Sequence, residues 1–115
     1  MPPQRDDGFF SEELDPAGCK KLIDSSPGCV IIDVRTPGEY SAGHLEGARN
    51  VDFFCPDFRE KIETQDRGRS YVVYCKKGRR GERTKDMMKG CGFFRVVNIR
   101  GGIEGWKEAG LPLEK

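Results

Sequence analysis

Three short, mainly apolar runs stand out in the pattern of apolar and polar positions along the chain. They are CVIIDV at 29–34, SYVVYC at 70–75 and FRVVNI at 94–99. Apolar runs of this length without regular alternation are typical of strands buried on both faces, as in a parallel sheet. A further segment, HLEGARNV at 44–51, predicts a brief strand or a turn.

Segments with helix signals alternate with these strands. Asp15 and Pro16 predict a helix start, an N-cap followed by proline at the first helical position, and SSPG at 25–28 ends that helix. Further short helices are predicted within 36–43, 55–65, 81–90 and 101–110, the last entered through Gly101 and Gly102. This alternation predicts an α/β domain with a mostly parallel sheet and helices on both faces.

The chain length of 115 residues fits one domain with one hydrophobic core. Residues 1–8, polar with two prolines, are predicted to be a flexible lead-in to a domain at 9–115. The net charge of +1 lacks the basic excess of nucleic-acid-binding proteins, so no nucleic-acid partner is expected. No apolar run is long enough to cross a membrane, and no membrane partner is expected.

The five cysteines, at 19, 29, 55, 75 and 91, are an odd number and include no Cys-x-x-Cys pair. With His44 as the only histidine, the usual ligand spacing of a zinc site is missing, and no metal is expected. Free thiols in a reducing, cytoplasmic setting are the simplest interpretation. Three of the thiols, Cys19, Cys29 and Cys91, fall on apolar faces that predict core positions. The aromatic residues Phe93, Phe94 and Trp106 are also predicted to pack in the core.

The segment YVVYCKKGRRGER at 71–83 places a cysteine where a strand ends and a helix follows. In parallel sheets, sites form beyond the carboxyl ends of the strands, and Asp33 ends another strand of the same kind. The backbone N–H groups of 75–81 can curl around Cys75, and the following helix adds partial positive charge. Such surroundings stabilise a thiolate, and Gly78 and Gly81 permit the tight curvature.

The side chains around this turn are strongly cationic. Residues 76–89 contain seven Lys or Arg and only two acidic residues, an excess of five in a chain whose total is +1. Cations at a helix N-terminus are unfavourable, and no Ser, Thr, Asp or Asn is available between 76 and 82 as a cap. Departures of this kind are typical of functional sites, and they indicate that an anion or the thiolate supplies the missing negative charge.

Three segments together resemble the rhodanese-type sulfurtransferase domain. They are VIIDVRTPGEYSAGHLEGARNV at 30–51, YVVYCKKGRRGER at 71–83 and GFFRVVNIRGGIEGWKEAGLP at 92–112, in the order and spacing of that family. The resemblance implies a single domain with a central, mostly parallel five-stranded sheet covered by helices on both faces. It implies no metal and no organic cofactor.

The resemblance also implies a double-displacement reaction at Cys75. The cysteine takes the outer sulfur of a donor as a persulfide and passes it to a nucleophilic acceptor, such as cyanide, a thiol or a protein. Basic residues directly after the cysteine resemble family members that use thiosulfate, a small anion, whereas relatives using mercaptopyruvate carry small uncharged residues there. The implied supporting residues are Asp33 and Arg35, with His44 structural, and the implied substrate-binding loop is Lys76, Lys77, Gly78, Arg79 and Arg80.

Two alternatives stay open. One is a persulfide carrier or interaction module, in which a protein partner accepts the sulfur and turnover of free thiosulfate is weak. The other, less favoured, is a phosphatase-like enzyme of the same fold. Those relatives place Arg after five intervening residues, whereas Arg80 follows Cys75 after four, and position 81 is glycine. The glycine departs from the Ser or Ala found there in many sulfurtransferase members.

Overall fold

The computed structural model describes residues 13–115, so the predicted lead-in at 1–8 lies outside the described residues. Five strands and five helices alternate along this part of the chain. The strands are β1 Glu13–Leu14, β2 Val30–Asp33, β3 Arg49–Asn50, β4 Ser70–Tyr74 and β5 Arg95–Ile99. The helices are α1 Pro16–Ser25, α2 Pro37–Ser41, α3 Phe58–Glu63, α4 Arg79–Gly90 and α5 Gly102–Glu108.

The five strands form one sheet in the order β1-β5-β4-β2-β3, and every pairing is parallel. The predicted α/β architecture is therefore confirmed. Because the strands are parallel, their carboxyl ends lie along one edge, where Asp33 and Tyr74 are paired in register. The strand β1 has only two residues, too few to show a period, and the apolar pattern did not indicate it.

The two faces of the sheet bury separate apolar clusters. On one face, α3 and α4 pack through Phe58, Ile62 and Met88 against a row that includes Ile32 and Val73. The other face carries α1 and α5, which contribute Cys19, Ile103 and Trp106 and pack against Ile31, Val72 and Val97. Since side chains alternate along a strand, Val73 and Cys75 face α4, whereas Tyr74 between them faces α5.

Local signals position several element boundaries as predicted. The Asp15 carboxylate accepts a hydrogen bond from the Gly18 N–H at 2.8 Å and caps α1. Helix α4 begins two residues earlier than predicted, at Arg79, because Gly78 turns the chain in a left-handed conformation with φ of 116°. Both Arg79 and Arg80 therefore belong to the first helical turn.

The aromatic residues near the last strand differ in their packing. Trp106 and Phe93 are buried, as predicted from the sequence. The same prediction for Phe94 is wrong, since this side chain is 55% exposed. Phe94 immediately precedes β5 and its ring lies beneath the Arg95 guanidinium, 4.9 Å from the ring centroid. Within residues 13–115, no helix combines the length and apolar character needed to cross a membrane.

Candidate active site

Cys75 lies directly after β4, at the carboxyl edge of the sheet, and its sulfur is the centre of the candidate site. The Sγ atom accepts hydrogen bonds from the Gly78 N–H at 3.1 Å and the Gly81 N–H at 3.2 Å. One donor is the N-cap residue of α4 and the other lies in its first turn, so the positive end of that helix faces the sulfur. This arrangement favours negative charge on sulfur, because a thiolate accepts hydrogen bonds more strongly than a thiol.

The carbonyl groups of the same turn are held on the opposite side. The Ile103 N–H donates to the Cys75 carbonyl at 2.8 Å, and the Glu104 N–H donates to the Lys76 carbonyl at 3.1 Å. Both donors belong to the first turn of α5, whose N–H groups have no partner within the helix. With its carbonyls engaged by α5, the turn presents N–H groups, and not oxygens, to the sulfur.

This close approach of α5 to the turn depends on Gly102. The residue has φ of 62°, and a Cβ atom there would lie 2.5 Å from the carbonyl oxygens of Cys75 and Lys76. Backbone atoms cannot move aside as a flexible side chain can, so only glycine fits. The sequence predicted Gly101 and Gly102 as the entry turn of a helix; the structure shows that Gly102 also determines how α5 meets the turn after Cys75.

Asp33 and Arg35 form a buried ion pair beside the end of β4. The Arg35 Nη2 lies 2.7 Å from the Asp33 Oδ2 and also donates to the Gly43 carbonyl at 2.7 Å. The Tyr74 hydroxyl donates to the same carboxylate oxygen at 2.7 Å and accepts from the Leu45 N–H at 3.1 Å. The two predicted supporting residues therefore contact the residue immediately before Cys75, and not the sulfur itself.

The protonation states in this network follow from burial and charge. Burial first, and then the adjacent Asp33 carboxylate, raises the pKa of Tyr74, so its hydroxyl stays protonated and donates. Burial alone would lower the pKa of Arg35, but the hydrogen bond and charge of Asp33 outweigh that effect and the pKa is raised. Arg35 and Asp33 thus form an ion pair to which the Tyr74 hydroxyl adds a further hydrogen bond.

The cations of the loop separate into paired and exposed groups. Lys77 and Arg79 are exposed. The exposed Lys76 has its Nζ 3.9 Å from a carboxylate oxygen of Glu104, a distance that makes a weak surface contact. The guanidinium of Arg80 is less exposed and is engaged by Glu39, with Nη1–Oε1 and Nη2–Oε2 distances of 3.1 and 3.2 Å.

The Glu39–Arg80 pair connects α2 to α4. Glu39 is also the third residue of a capping box, accepting from the Thr36 N–H at 2.9 Å. The hydrogen bond from Arg80, opposed in part by burial, lowers the pKa of Glu39 to about 2. The Arg80 guanidinium also lies over the exposed ring of Phe54, 5.5 Å from its centroid. In this structure the Arg80 guanidinium is therefore already paired with a carboxylate.

The other thiols and the histidine lie away from this chemistry. Cys19 is buried, and burial first raises its pKa to about 12; burial raises the pKa of the half-buried Cys29 to about 11. Cys91 is also only half-buried and contacts the Arg59 guanidinium at 3.4 Å, so the predicted core positions of Cys29 and Cys91 are only partly realised. The His44 ring stacks on Tyr40 and its Nδ1 lies 2.9 Å from the Tyr40 carbonyl oxygen, which is a structural role.

Three residues that the sequence interpretation did not assign prove to hold the site. The role of Tyr74 could not be recognised in the sequence, because it lies in an apolar run and only the fold shows the hydrogen-bond partners of its hydroxyl. Glu39 had a signal, the T-x-x-E spacing of a capping box from Thr36. Asn98 also had one, since it is a polar residue inside a buried strand, and its Nδ2 donates to the Gly78 carbonyl at 3.0 Å. Among residues 13–115 there is no cluster of three or more His, Cys, Asp or Glu suited to a metal ion.

Comparison with known proteins connects this geometry to a family. Residues 15–109 match the family model of the rhodanese-like domain. A sulfurtransferase of Allochromatium vinosum is 29% identical over 101 residues, an alignment covering 88% of this chain and 92% of that protein. A tRNA uridine(34) hydroxylase of Citrobacter koseri is 34% identical over 119 residues, and a probable adenylyltransferase/sulfurtransferase of Mycobacterium tuberculosis is 29% identical over 99 residues. The chain spans only 34% and 25% of those two longer proteins.

Solved structures agree with this assignment. A rhodanese-like domain from Anabaena superposes with a TM-score of 0.78 at 26% identity, covering 90% of this chain and 78% of that one. A rhodanese-related protein from Thermoplasma volcanium superposes with a TM-score of 0.77 at 26% identity, covering 90% and 97%. The similarity extends over nearly the whole described domain.

The Tyr74 hydroxyl provides a test of the network beneath the site. We expect Tyr74→Phe to lower the free energy of unfolding by about 1–3 kcal/mol, because Asp33 loses a donor and the buried Leu45 N–H loses its acceptor. The matched control is Tyr71→Phe, which removes one hydrogen bond to the Asp66 carbonyl and is expected to cost only about 0.5–1.5 kcal/mol. Urea denaturation measures both. Equal stability of Tyr74→Phe and the wild type would contradict the assigned network.

The Glu39–Arg80 pair predicts a specific acid dependence. Since the folded pKa of Glu39 is about 2 and its ordinary value is 4.5, its stabilisation is complete above pH 4.5 and is lost as the pH falls toward 2. We therefore expect Glu39→Gln to be less stable than the wild type at pH 7, with the difference shrinking at pH 3 and below.

The control for this measurement is Glu108→Gln, an exposed position at the end of α5. Denaturation midpoints in urea at pH 7, 4 and 2.5 compare the variants. A stability difference between Glu39→Gln and the wild type that stays constant across this range would show that Glu39 does not act through its charge.

Proposed function

Because the chain belongs to the rhodanese-like domain family, we propose that it is a sulfurtransferase whose Cys75 carries sulfane sulfur from thiosulfate, or a similar small anion, to a nucleophilic acceptor. The observation that carries the proposal is the pair of N–H groups, from Gly78 and Gly81, directed at the Cys75 sulfur. They stabilise a thiolate before transfer and a charged persulfide afterwards, which is what a two-step transfer requires.

The proposed reaction balances in two displacements. The Cys75 thiolate attacks the outer sulfur of thiosulfate, a new sulfur–sulfur bond forms, and the bond to the sulfonate sulfur breaks. Sulfite leaves with the electron pair, and the cysteine retains a persulfide anion. An acceptor such as cyanide then attacks the outer sulfur, leaves as thiocyanate, and regenerates the thiolate. No metal or organic cofactor takes part in this scheme.

The charge around the turn supports a small anionic donor. Lys76, Lys77 and Arg79 are exposed near the turn and raise the local positive potential. Neither Lys77 nor Arg79 forms an ion pair with another of the residues 13–115, so both are available to a dianion. Arg80 joins substrate binding only by exchanging its Glu39 partner, and we propose that the backbone donors and Lys77 make the first contacts.

A persulfide carrier is the second candidate, and one observation favours it. Cys75 is only 1% exposed, whereas the cations around it are exposed. A basic surface around a recessed sulfur suits a protein acceptor that docks first and receives the sulfur afterwards. We also propose a reducing, cytoplasmic setting, because all five cysteines are free and a persulfide requires reduced thiols. A phosphatase-like reaction is less favoured, since only four residues separate Cys75 from Arg80.

Intact mass spectrometry tests the central step. After incubation with thiosulfate, we expect the wild type to gain about 32 Da, one sulfur atom on the thiolate nucleophile, and to lose it on addition of a reductant. Cys75→Ser should show no gain, whereas Cys55→Ser, a half-buried thiol outside the turn, should gain the sulfur normally. A gain that persists in Cys75→Ser would refute the assignment of the nucleophile. Cyanide consumption then distinguishes an enzyme from a carrier.

Kinetics with thiosulfate test the role of Lys77. We expect Lys77→Ala to raise KM about threefold to tenfold with kcat little changed, since one partly screened charge contact is worth about 1 kcal/mol. The charge-matched control Lys107→Ala removes an exposed lysine from α5 and should leave KM unaltered. Equal KM values for Lys77→Ala and the wild type would mean that the backbone N–H groups bind the donor alone.

A further inference from the structure

Asn98 is a fully buried polar residue in the middle of the sheet. It lies on β5 with 0% exposure, paired in register with Glu13 on one side and Val73 on the other. Alternation along β5 places it on the same face as Val96, which belongs to the cluster packed against α4. A polar side chain in such a position is costly unless it is hydrogen-bonded, so its partners identify its purpose.

The two acceptors around Asn98 determine how its amide is oriented. The Nδ2 group donates to the Gly78 carbonyl at 3.0 Å and to the Glu13 carboxylate at 3.0 Å. With two oxygens on that side, the nitrogen must face them, and the Oδ1 atom must point the other way. Gly78 is therefore held through both of its backbone polar groups: its carbonyl accepts from Asn98, and its N–H donates to the Cys75 sulfur.

The Oδ1 atom of Asn98 faces Gly81, the second donor to the sulfur. This oxygen is buried and has no hydrogen-bond partner among the described residues. It occupies the space that a Cβ of residue 81 would fill, and such a Cβ would overlap Oδ1 and lie 3.1 Å from the Asn98 Cγ. Any side chain at position 81 would therefore displace the asparagine or lift the first turn of α4 from the sheet.

We propose that Asn98 is a positioning residue that fixes both N–H donors on the Cys75 sulfur. Its Nδ2 donates to the Gly78 carbonyl. Its Oδ1 fills the space beside Gly81 and so determines how closely the first turn of α4 approaches β5. Neither atom contacts the sulfur, so Asn98 acts through the backbone. The inference rests on the proposed use of Cys75 as the sulfur carrier, and it explains why a polar group is retained where an apolar one would cost less.

The pH dependence of Cys75 alkylation is the readout, because it follows the thiolate and does not require sulfur transfer. Iodoacetamide is the probe, and peptide mass mapping distinguishes Cys75 from the other four thiols. In Asn98→Ala the Gly78 carbonyl keeps the hydrogen bond from the Glu82 N–H at 2.9 Å but loses the one from Asn98, so the N–H groups are held less firmly toward the sulfur. We expect the midpoint of the pH–rate profile to move upward by about 0.5–1 pH unit, the size that loss of one thiolate hydrogen bond produces.

A double-variant cycle with position 81 separates the two contacts. Gly81→Ala alone should lower the thermal midpoint and move the alkylation midpoint upward, because the new methyl group overlaps Oδ1. In Gly81→Ala/Asn98→Ala the methyl group enters vacated space, so the thermal midpoint should recover to that of Asn98→Ala or above. The alkylation midpoint should stay shifted, since the hydrogen bond from residue 98 to the Gly78 carbonyl is still absent. Strong non-additivity is expected only of groups in contact.

Asn50→Ala is the matched control. The Nδ2 of Asn50 also donates to two backbone carbonyls, those of Asp33 and Arg35, at 3.0 and 2.9 Å. Its loss should lower stability and leave the alkylation midpoint unchanged, which distinguishes positioning of the sulfur from general destabilisation. If Asn98→Ala does not fold, Asn98→Ser, which removes fewer atoms but still ends short of the Gly78 oxygen, replaces it.

An unchanged alkylation midpoint in Asn98→Ala or Asn98→Ser would overturn the inference, as would additive effects in the cycle. Failure of the proposed function has a different signature. The wild type would then gain no sulfur from thiosulfate, while the alkylation profiles of the variants would still differ. The two hypotheses therefore stand or fall on separate measurements.

Discussion

The hydrogen bonds that hold the carbonyl groups of the Cys75–Gly78 turn away from the sulfur are the interaction on which the rest of the site depends. The carbonyls of Lys76 and Gly78 belong to the peptide units on either side of the one that carries the Gly78 N–H, so holding both carbonyls limits how that N–H can turn. The first turn of α5 binds the carbonyls of Cys75 and Lys76, and Asn98 binds that of Gly78. The Gly78 N–H that faces the sulfur is thus preorganised by contacts made on the other side of the turn.

The requirement for glycine follows from the same geometry. Gly102 lets α5 approach the carbonyls, Gly78 turns the chain with positive φ, and Gly81 leaves room for Asn98. Each glycine is needed for a different physical reason: close approach to backbone, backbone conformation and space for a buried amide. The cationic side chains of the loop do not depend on this geometry, because they are mostly exposed, whereas the backbone donors lie inside the turn.

A second group of hydrogen bonds, farther from the sulfur, supports the end of β4. The Asp33 carboxylate of the buried Asp33–Arg35 pair accepts a hydrogen bond from the Tyr74 hydroxyl, and Tyr74 is the residue before Cys75. A buried ion pair is costly to form and costly to break, so its contribution lies more in fixing one arrangement than in net stability. Here it fixes where β4 ends, and with it the position from which the Cys75 turn departs. The Glu39–Arg80 pair performs a related role at the surface, joining α2 to the start of α4.

The sequence by itself determined the architecture and singled out Cys75 as the candidate nucleophile. Short apolar runs, separated by helix signals such as Asp15-Pro16, are sufficient to predict a parallel sheet with helices on both faces, because they reflect local periodicity and burial. The position of Cys75 at the end of such a run, followed by cations with no helix cap, indicated a site for an anion or thiolate, and the family resemblance then implied sulfur transfer.

Only the tertiary structure decided how the site is held. The pairing of Arg80 with Glu39 joins residues 41 apart in sequence, and the contact of Asn98 with Gly78 joins residues 20 apart. Such partners are chosen by sheet order and helix packing, which no local pattern encodes. The edge strand β1 could likewise not be predicted from the sequence, since its two residues adopt strand geometry only by pairing with β5. Local periodicity therefore specifies elements, whereas hydrogen-bond partners between elements exist only once the sheet has assembled.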